Sequence, residues 1–322
     1  MTGAWRLAAG TVVLAGALIL GACGGSDSSG PKSATTIDQG QAASIGSSVA
    51  SQIGSITSGL TSFSTPAVGG FSGLGIRSLP GRLLTNKVKS YSPRIQASLA
   101  KLDTASTCNP TVSDTTDTDG DGIYDNAIVT FTGHCTEVDS ASTTTVTGSV
   151  HIVDTDSPTT FFGYAVGLNA LAITITDTSG TSLAIGFGGT FGVGVSAATA
   201  TGTQDVQTAL RVNNTLVFND HANWAVSYTP TGGNIPNTST QLPAGALAFN
   251  GSYSFAGDAG TTSNNWTFAI GTTTPLAYNG SCLDDTWPFD SGQLTVAISA
   301  NATVGFTVDY AGCGVAGTVT AF

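Results

Sequence analysis

Residues 144–153 read TTVTGSVHIV, and this stretch decides the fold class of the chain. Its apolar side chains Val146, Val150 and Ile152 are separated by even numbers of residues, with Thr, Ser and His between them. Successive side chains of a strand point to opposite faces, so this period of two predicts a strand with one apolar and one polar face. Residues 127–132 (AIVTFT) predict a second strand.

The same period recurs along the rest of the chain. Further strands are predicted at residues 161–166, 171–176, 184–195, 206–218, 224–228, 246–255, 265–270, 293–299, 303–310 and 315–322. Turn residues such as those at 177–180 (DTSG) and 232–234 (GGN) separate them. About a dozen short strands with no helical pattern between them indicate a mainly β domain at residues 104–322. It is expected to be an antiparallel sheet, a sandwich or a barrel-like sheet.

The charge distribution excludes one large class of function. Only 9 % of residues are charged, whereas about 25 % is usual for soluble domains. From residue 102 to the end, 18 acidic residues stand against a single basic residue, Arg211. Such a surface repels phosphate groups, so we expect no nucleic-acid partner.

The N-terminus has the pattern of a secretory signal. Arg6 precedes an uncharged run at residues 7–22, which is short for a membrane span of about 20 residues but suits a signal-peptide core. The run ends in Leu20-Gly21-Ala22-Cys23, which resembles the lipobox of bacterial lipoproteins. The resemblance implies a signal peptide at 1–22 and a Cys23 that carries diacylglyceryl and an N-acyl chain such as palmitate. The alternative is an ordinary secretory signal with an incidental cysteine.

The lipobox implies an extracytoplasmic protein anchored in a membrane through Cys23. Two or more acyl chains hold a protein stably on a bilayer, whereas one chain does so only marginally. Gly24 and Gly25 follow the cysteine, and the absence of an aspartate directly after it favours the outer membrane or the cell surface. Residues 23–44 then form a polar, flexible tether.

Residues 45–103 are predicted to form a short helical region before the β domain. Apolar residues with helical spacing predict a first helix, which packs on the sheet or lies on a membrane or partner: Ile45, Val49, Ile53, Ile56 and Leu60. Ser92-Pro93 has the pattern of a second helix start. Six basic residues surround this helix in the sequence: Arg77, Arg82, Lys87, Lys89, Arg94 and Lys101. They are expected either to balance the negative charge of the β domain, or simply to be solvated, or to contact anionic lipid headgroups.

Four cysteines remain when Cys23 is set aside. They are Cys108, Cys135, Cys282 and Cys313. In an oxidising compartment four cysteines allow three pairings, and the chain order favours the neighbours, Cys108 with Cys135 and Cys282 with Cys313. A zinc site is the alternative, although no CxxC spacing accompanies it.

An acidic loop precedes the first predicted strand. Residues 117–126 read DTDGDGIYDN, and alternating carboxylates in a tight loop can all turn toward one ion. Calcium binds six to eight oxygens in flexible geometry. The stretch resembles the DxDxDGxxD loops of EF-hand-like proteins, dockerins and thrombospondin type 3 repeats. The resemblance implies structural calcium held by these residues, with Ile123 giving its backbone carbonyl: Asp117, Asp119, Asp121, Ile123 and Asp125.

The calcium loop departs from an EF-hand in two respects. A predicted strand follows it at once, and no flanking helix pair is present in the sequence. Ile128 stands where an EF-hand has its bidentate glutamate, which predicts weak affinity and a structural rather than a signalling site. The alternative is a solvated acidic turn, since Asp and Gly are common in turns.

No motif predicts a catalytic activity. The three histidines are His134, His151 and His221, and the sequence contains neither HExxH nor GxSxG. Asp220-His221 beside Trp224 is the best residual catalytic candidate, and we do not expect an enzyme. The expected role is binding or envelope architecture. The alternatives are a carrier of a hydrophobic ligand and, with less support, a hydrolase.

Overall fold

The computed structural model describes residues 111–120, 123–134, 142–156, 163–235, 242–257, 265–282, 288–299 and 301–322. The predicted signal peptide, tether and helical region at 1–103 lie outside the described residues, as do Cys23, Cys108, Asp121 and Cys135. Within the part of the chain that is described, no helix is long and apolar enough to cross a membrane.

The predicted mainly β, antiparallel fold is confirmed. All regular elements of the described chain are strands: β1 Thr111–Val112, β2 Asn126–His134, β3 Ser142–Asp154, β4 Gly163–Asp177, β5 Ser182–Val195, β6 Ala200–Val212, β7 Thr215–Pro230, β8 Gly245–Gly257, β9 Asn265–Tyr278, β10 Phe289–Ile298, β11 Asn301–Tyr310 and β12 Thr318–Ala321. They form one sheet in which each strand pairs with the next along the chain. Every pairing is antiparallel, and β1 and β12 are its edges.

The period-two pattern of the sequence is the pattern of burial. In β3 the side chains of Val146, Val150 and Ile152 are buried, while the intervening residues are partly or fully exposed. In β6 every second residue from Ala200 to Leu210 is buried apart from one, and the residues between carry Thr, Asp and Gln. One face of the sheet is therefore apolar and buried, and the other is polar and faces solvent. We call these the inner and the outer face.

Several predicted strand boundaries are wrong, for two physical reasons. The two strands predicted at 161–166 and 171–176 are one strand, β4, because Asn169 and Ala170 form a bulge inside it rather than a turn. The strand predicted at 206–218 is two strands, β6 and β7, because Asn213 and Asn214 form the turn between them with φ of 48° and 66°. Asparagine tolerates such positive φ values, and two-residue hairpin turns require them. The separate strand predicted at 224–228 lies within β7.

A line of kinks crosses three neighbouring strands. Gly148 in β3, Ala170 in β4 and Gly189 in β5 have positive φ of 99°, 47° and 114°, and the registers of both strand pairs shift at these residues. A Cβ on Gly148 would overlap the carbonyl oxygen of Ala170, so the backbones approach as closely as they do because a side chain is missing. Bulges and glycine kinks of this kind bend a sheet locally.

The inner face contains two clusters of buried side chains. The smaller one joins β2 to β6 and includes Ile152, Leu171 and Ile185. The larger one extends from the end of β5 to β11 and is rich in aromatic rings. Its ring centroids are 5.6 Å apart for Trp224 and Phe249. Packed rings at such distances contribute about 0.5–1.5 kcal/mol per pair beyond the area they bury.

Candidate calcium loop and its surroundings

The acidic loop is attached to the sheet at both ends. It leaves β1 at Val112 and enters β2 at Asn126. The amide of Asp125 donates to the carbonyl of Thr116 at 2.8 Å, which brings the two limbs of the loop together. Ile123 is only 1 % exposed and belongs to the smaller core cluster. Burial of such a side chain contributes about 1.5–3 kcal/mol, so Ile123 holds the loop against the sheet.

Two of the predicted ligand carboxylates accept hydrogen bonds from the loop itself. Oδ1 of Asp117 accepts from the amide of Gly120 at 2.7 Å. Oδ1 of Asp125 accepts from the amide of Thr118 at 3.0 Å, and its Oδ2 accepts from the hydroxyl of the same residue. These bonds fix the turn and point both carboxylates into the loop.

Asp114 stands just before the predicted ligands and is fully exposed. Its Oδ1 accepts from the hydroxyl of Thr116 at 2.7 Å and from the Thr116 amide at 2.9 Å. Because these hydrogen bonds favour the charged form, they lower the pKa of Asp114 below its ordinary value. Asp114 therefore adds a further negative charge beside the loop.

The sheet brings the backbone of a second acidic segment, which bears Asp154 and Asp156, against the loop, and the sequence analysis missed it. The amide of Asp154, at the end of β3, donates to the carbonyls of Tyr124 and Asp125, each at 3.3 Å. Only 8 % of Asp154 is exposed, and its Oδ1 accepts from the amide of Asp156 at 3.0 Å. The Asp-Thr-Asp pattern at 154–156 repeats that at 117–119, which is the signal that could have identified it.

No basic side chain is available to balance these acids from the β domain. Arg211 is the one Lys or Arg after residue 102. The strand pairings place Asp154 of β3 in the same row across the sheet as Gly202 of β6. Arg211 is nine residues further along β6. At about 3.3 Å per residue, this places Arg211 about 30 Å away. Its Nη1 donates to the carbonyl of Asn214 at 3.2 Å.

The described residues do not by themselves complete a metal site. Among them, a set that leaves out Asp121, no group of three or more His, Cys, Asp or Glu side chains is arranged to hold a metal ion. Asp117, Asp119, Ile123 and Asp125 all lie in the described part of the loop. Calcium in this loop therefore stays a prediction.

A disulfide joins Cys282 and Cys313, as the chain order predicts. The two Cα atoms are 5.8 Å apart, within the range that disulfides adopt. Cys282 follows β9 and is 7 % exposed, and Cys313 lies between β11 and β12. The bond thus connects the two ends of a segment that contains β10 and β11. The second pair, Cys108 and Cys135, lies outside the described residues.

The described partner of His221 lies on the neighbouring strand. Its Nε2 lies 2.6 Å from Oδ1 of Asp205 on the neighbouring strand β6. His221 and Asp205 are 37 % and 57 % exposed on the outer face, whereas Trp224 is buried on the inner face. His221 and Trp224 therefore lie on opposite faces of the sheet, because side chains an odd number of residues apart in a strand point to opposite faces.

His151 forms a hydrogen bond with an asparagine side chain, at the end of the sheet next to the acidic loop. Its Nε2 lies 2.6 Å from Oδ1 of Asn126, the first residue of β2. This bond joins β2 to β3 directly after Asp125. Of His134, the structure describes the backbone as the last residue of β2.

Comparison with known proteins returns no relative that could supply a function. No protein-family model matches the chain, no curated protein matches it, and no solved structure matches it.

Proposed function

We propose that this chain is an extracytoplasmic bacterial lipoprotein with a calcium-stabilised β domain. Cys23 anchors it in the outer membrane or at the cell surface, and the β domain acts in binding or in the architecture of the cell envelope. The N-terminal pattern of Arg6, the uncharged run at 7–22 and Cys23 supports the anchor. The Cys282–Cys313 disulfide supports an oxidising compartment.

One observation carries the calcium proposal. Two chain segments that bear seven acidic residues are joined by the backbone bonds of Asp154 to the loop; these acids are Asp114, Asp117, Asp119, Asp121, Asp125, Asp154 and Asp156. The β domain offers a single basic residue, about 30 Å away along the strands. Carboxylates gathered in this way repel one another unless a cation neutralises them.

The ion would act by neutralising charge and by linking the loop to the sheet. Asp117, Asp119, Asp121 and Asp125 would supply carboxylate oxygens, and Ile123 would supply its carbonyl. These hard oxygen donors suit calcium. Affinity is expected in the extracellular range, at a dissociation constant of about 10⁻⁴ to 10⁻³ M, because the loop lacks the twelfth-position glutamate.

Calorimetry with calcium tests this site. At a tenfold excess over the dissociation constant, binding to the folded state stabilises the protein by about 1.4 kcal/mol. For a domain of this size, that corresponds to a rise in melting temperature of about 3–6 °C. We expect this rise with calcium but not with magnesium. The paired change Asp119→Ala with Asp121→Ala should abolish it, whereas Asp290→Ala, an exposed acid in β10, should not.

The calcium proposal fails if millimolar calcium gives no heat of binding and leaves the melting temperature unchanged. The stretch 117–126 would then be a solvated acidic turn.

The lipid anchor is tested separately. Cys23→Ser should release the protein from the membrane fraction and leave its precursor uncleaved by the lipoprotein signal peptidase. A variant that still fractionates with membranes and is processed normally would contradict the lipobox assignment.

A binding or architectural role is preferred to a carrier role because of how the inner face is filled. Large aromatic side chains occupy the larger core cluster, and the rings of Phe289 and Tyr310 lie 5.0 Å apart. Side chains packed in this way occupy the volume in which a hydrophobic ligand would lie. The outer face is then the surface available for recognition.

For the sheet itself we propose a barrel-like curl rather than a sandwich. The twelve strands follow one another in chain order. Positive φ at Gly148 and Gly189 supplies the kinks with which a sheet curls. A sandwich would instead divide the strands between two packed sheets.

A further inference from the structure

A groove crosses the outer face over β6, β7, β8 and β9. Its volume is about 540 Å³. The strand registers arrange its residues in rows across the sheet. One row runs from Thr203 through Ala225 and Asn250 to Gly271. The groove is therefore built on paired strands and does not depend on a loop.

The floor of this groove is made of small residues. Ala225 and Ala248 present methyl groups, and Gly271 presents none. A Cβ on Gly271 would meet a single protein atom within 4 Å, the Phe249 carbonyl oxygen at 3.8 Å, so packing does not require glycine there. Glycine inside a strand weakens the strand, and it often marks a bulge or a place where a ligand or another backbone approaches closely. The register of β8 with β9 does shift beside Gly271, between Leu247 and Asn250, so a bulge helps to shape the groove.

The walls of the groove are polar but uncharged. Thr201, Thr203, Ser227 and Asn250 provide hydroxyl and amide groups that can both donate and accept hydrogen bonds. None of the described residues that line the groove carries an ionisable side chain. Two of the groove hydroxyls are already engaged. That of Thr201 donates to the carbonyl of Gly194 at 3.4 Å, and that of Thr272 accepts from the amide of Phe249 at 3.3 Å.

This lining discriminates between classes of ligand. An anionic chain would be repelled by the 17 acidic residues of the β domain, which has only one basic residue. A cation would find no carboxylate in the groove, and an acyl chain would leave the hydroxyl walls without partners. A neutral polyhydroxylated chain satisfies both surfaces, since its hydroxyls match the walls and its C–H faces match the floor.

A hydrogen-bonded pair on the same face, Asp205 and His221, extends the polar surface beyond the groove. Asp205 is the next outward residue after Thr203 along β6, and its carboxylate holds Nε2 of His221 at 2.6 Å. Carboxylate oxygens are strong acceptors for hydroxyl groups. A ligand longer than the groove could reach this pair along the strand direction.

We propose that this groove binds a neutral glycan, with Thr203 and Asn250 as hydrogen-bond partners and Ala225 and Gly271 as the surface under the sugar rings. The proposal gives a ligand class to the binding role proposed above and rests on that role. It does not depend on the calcium loop or the lipid anchor. If glycan binding fails while those tests succeed, the ligand assignment alone is wrong.

Nuclear magnetic resonance on the full chain tests the proposal. The probes are four neutral hexasaccharides, namely maltohexaose, cellohexaose, laminarihexaose and chitohexaose, with hexagalacturonate as the acidic comparison. At least one neutral probe should shift the side-chain amide signal of Asn250 in a saturable way. Hexagalacturonate should leave it unchanged.

Three variants locate the binding site. Ala225→Phe fills the groove and should weaken binding at least tenfold. Thr203→Val removes one hydroxyl with little change in shape and should weaken binding about two- to tenfold, as expected for the loss of one hydrogen bond. Ala209→Phe places the same ring on the outer face of β6 away from the groove, and it should leave the affinity within about twofold.

Two results would overturn the proposal. One is the absence of any shift of the Asn250 amide with all four neutral probes at millimolar concentration. The other is binding that Thr203→Val and Ala225→Phe leave unchanged. Should Ala225→Phe fail to fold, the Asn250 signal and Thr203→Val still decide the outcome.

Discussion

Removal of the Cys282–Cys313 disulfide should destabilise the β domain by an amount that depends on the number of residues in the loop that it closes. The two cysteines are 31 residues apart in the chain. In the chain-entropy model, a loop of that length restricts the unfolded chain enough to contribute about 3.7 kcal/mol to the free energy of unfolding. For a domain of about 200 residues, this corresponds to a fall in melting temperature of roughly 7–15 °C.

The variant with both Cys282→Ala and Cys313→Ala provides the measurement. Because Cys282 is buried, its truncation adds a small packing loss to the effect of the missing bond. Each single variant also breaks the bond, so comparison of the double variant with both singles shows what truncation adds at each site. Thermal and denaturant unfolding under non-reducing conditions give the free energies.

Loss of the disulfide should lower the free energy of unfolding of the whole domain. The reason is that the loop closed by the disulfide encloses two strands, β10 and β11, and not a surface turn. If the melting temperature of the double variant fell by less than about 2 °C, the reasoning would be refuted. Unfolding of β10 and β11 alone, with β3 to β7 retained, would refute the assumption that the domain unfolds as one unit.

Three further predictions follow from single contacts. Gly189→Ala should destabilise the fold by about 1–3 kcal/mol, because its φ is +114° and a Cβ would overlap a backbone carbonyl of β6; Gly188→Ala, where a Cβ meets nothing within 4 Å, should change denaturant unfolding by less than about 1 kcal/mol. Burial, followed by the nearby Tyr278 ring, raises the pKa of Tyr228 to about 12, above the value of about 10 in the unfolded chain. Its contribution to stability is therefore complete below pH 10 and lost as the pH rises through 12, and Tyr228→Phe should remove this part of the alkaline loss of stability. Non-reducing peptide mapping should recover a peptide that joins Cys108 to Cys135, and a peptide joining either of them to a different cysteine would contradict the predicted pairing.

The fold class could be predicted from the sequence because burial in a strand has a short period. Val146, Val150 and Ile152 share one face whatever lies beside them, since alternation is a property of the extended backbone. Strand ends were predicted less well. The turn at Asn213-Asn214 has a recognisable signal in its two asparagines, whereas the bulge at Ala170 depends on its approach to Gly148 in the neighbouring strand.

The acidic site was predicted in part for a similar reason. Asp117, Asp119 and Asp125 are close in sequence, and a tight loop keeps them close in space. The segment that bears Asp154 and Asp156 reaches the loop through the pairing of β2 with β3, which brings together residues about 30 positions apart. The pairing of His221 with Asp205, rather than with its chain neighbour, likewise follows from the register of β6 with β7.

The sequence by itself determined that the chain is a mainly β, antiparallel protein with an acidic loop before its first long strand. These features depend on residues that are neighbours in the chain, and local backbone geometry is enough to relate them. Only the tertiary structure decided that the strands form a single sheet in chain order, that a second acidic segment lies against the loop, and that small residues from four strands form a groove. Those features depend on strand register, which shifts at bulges and is set by contacts between residues distant in sequence.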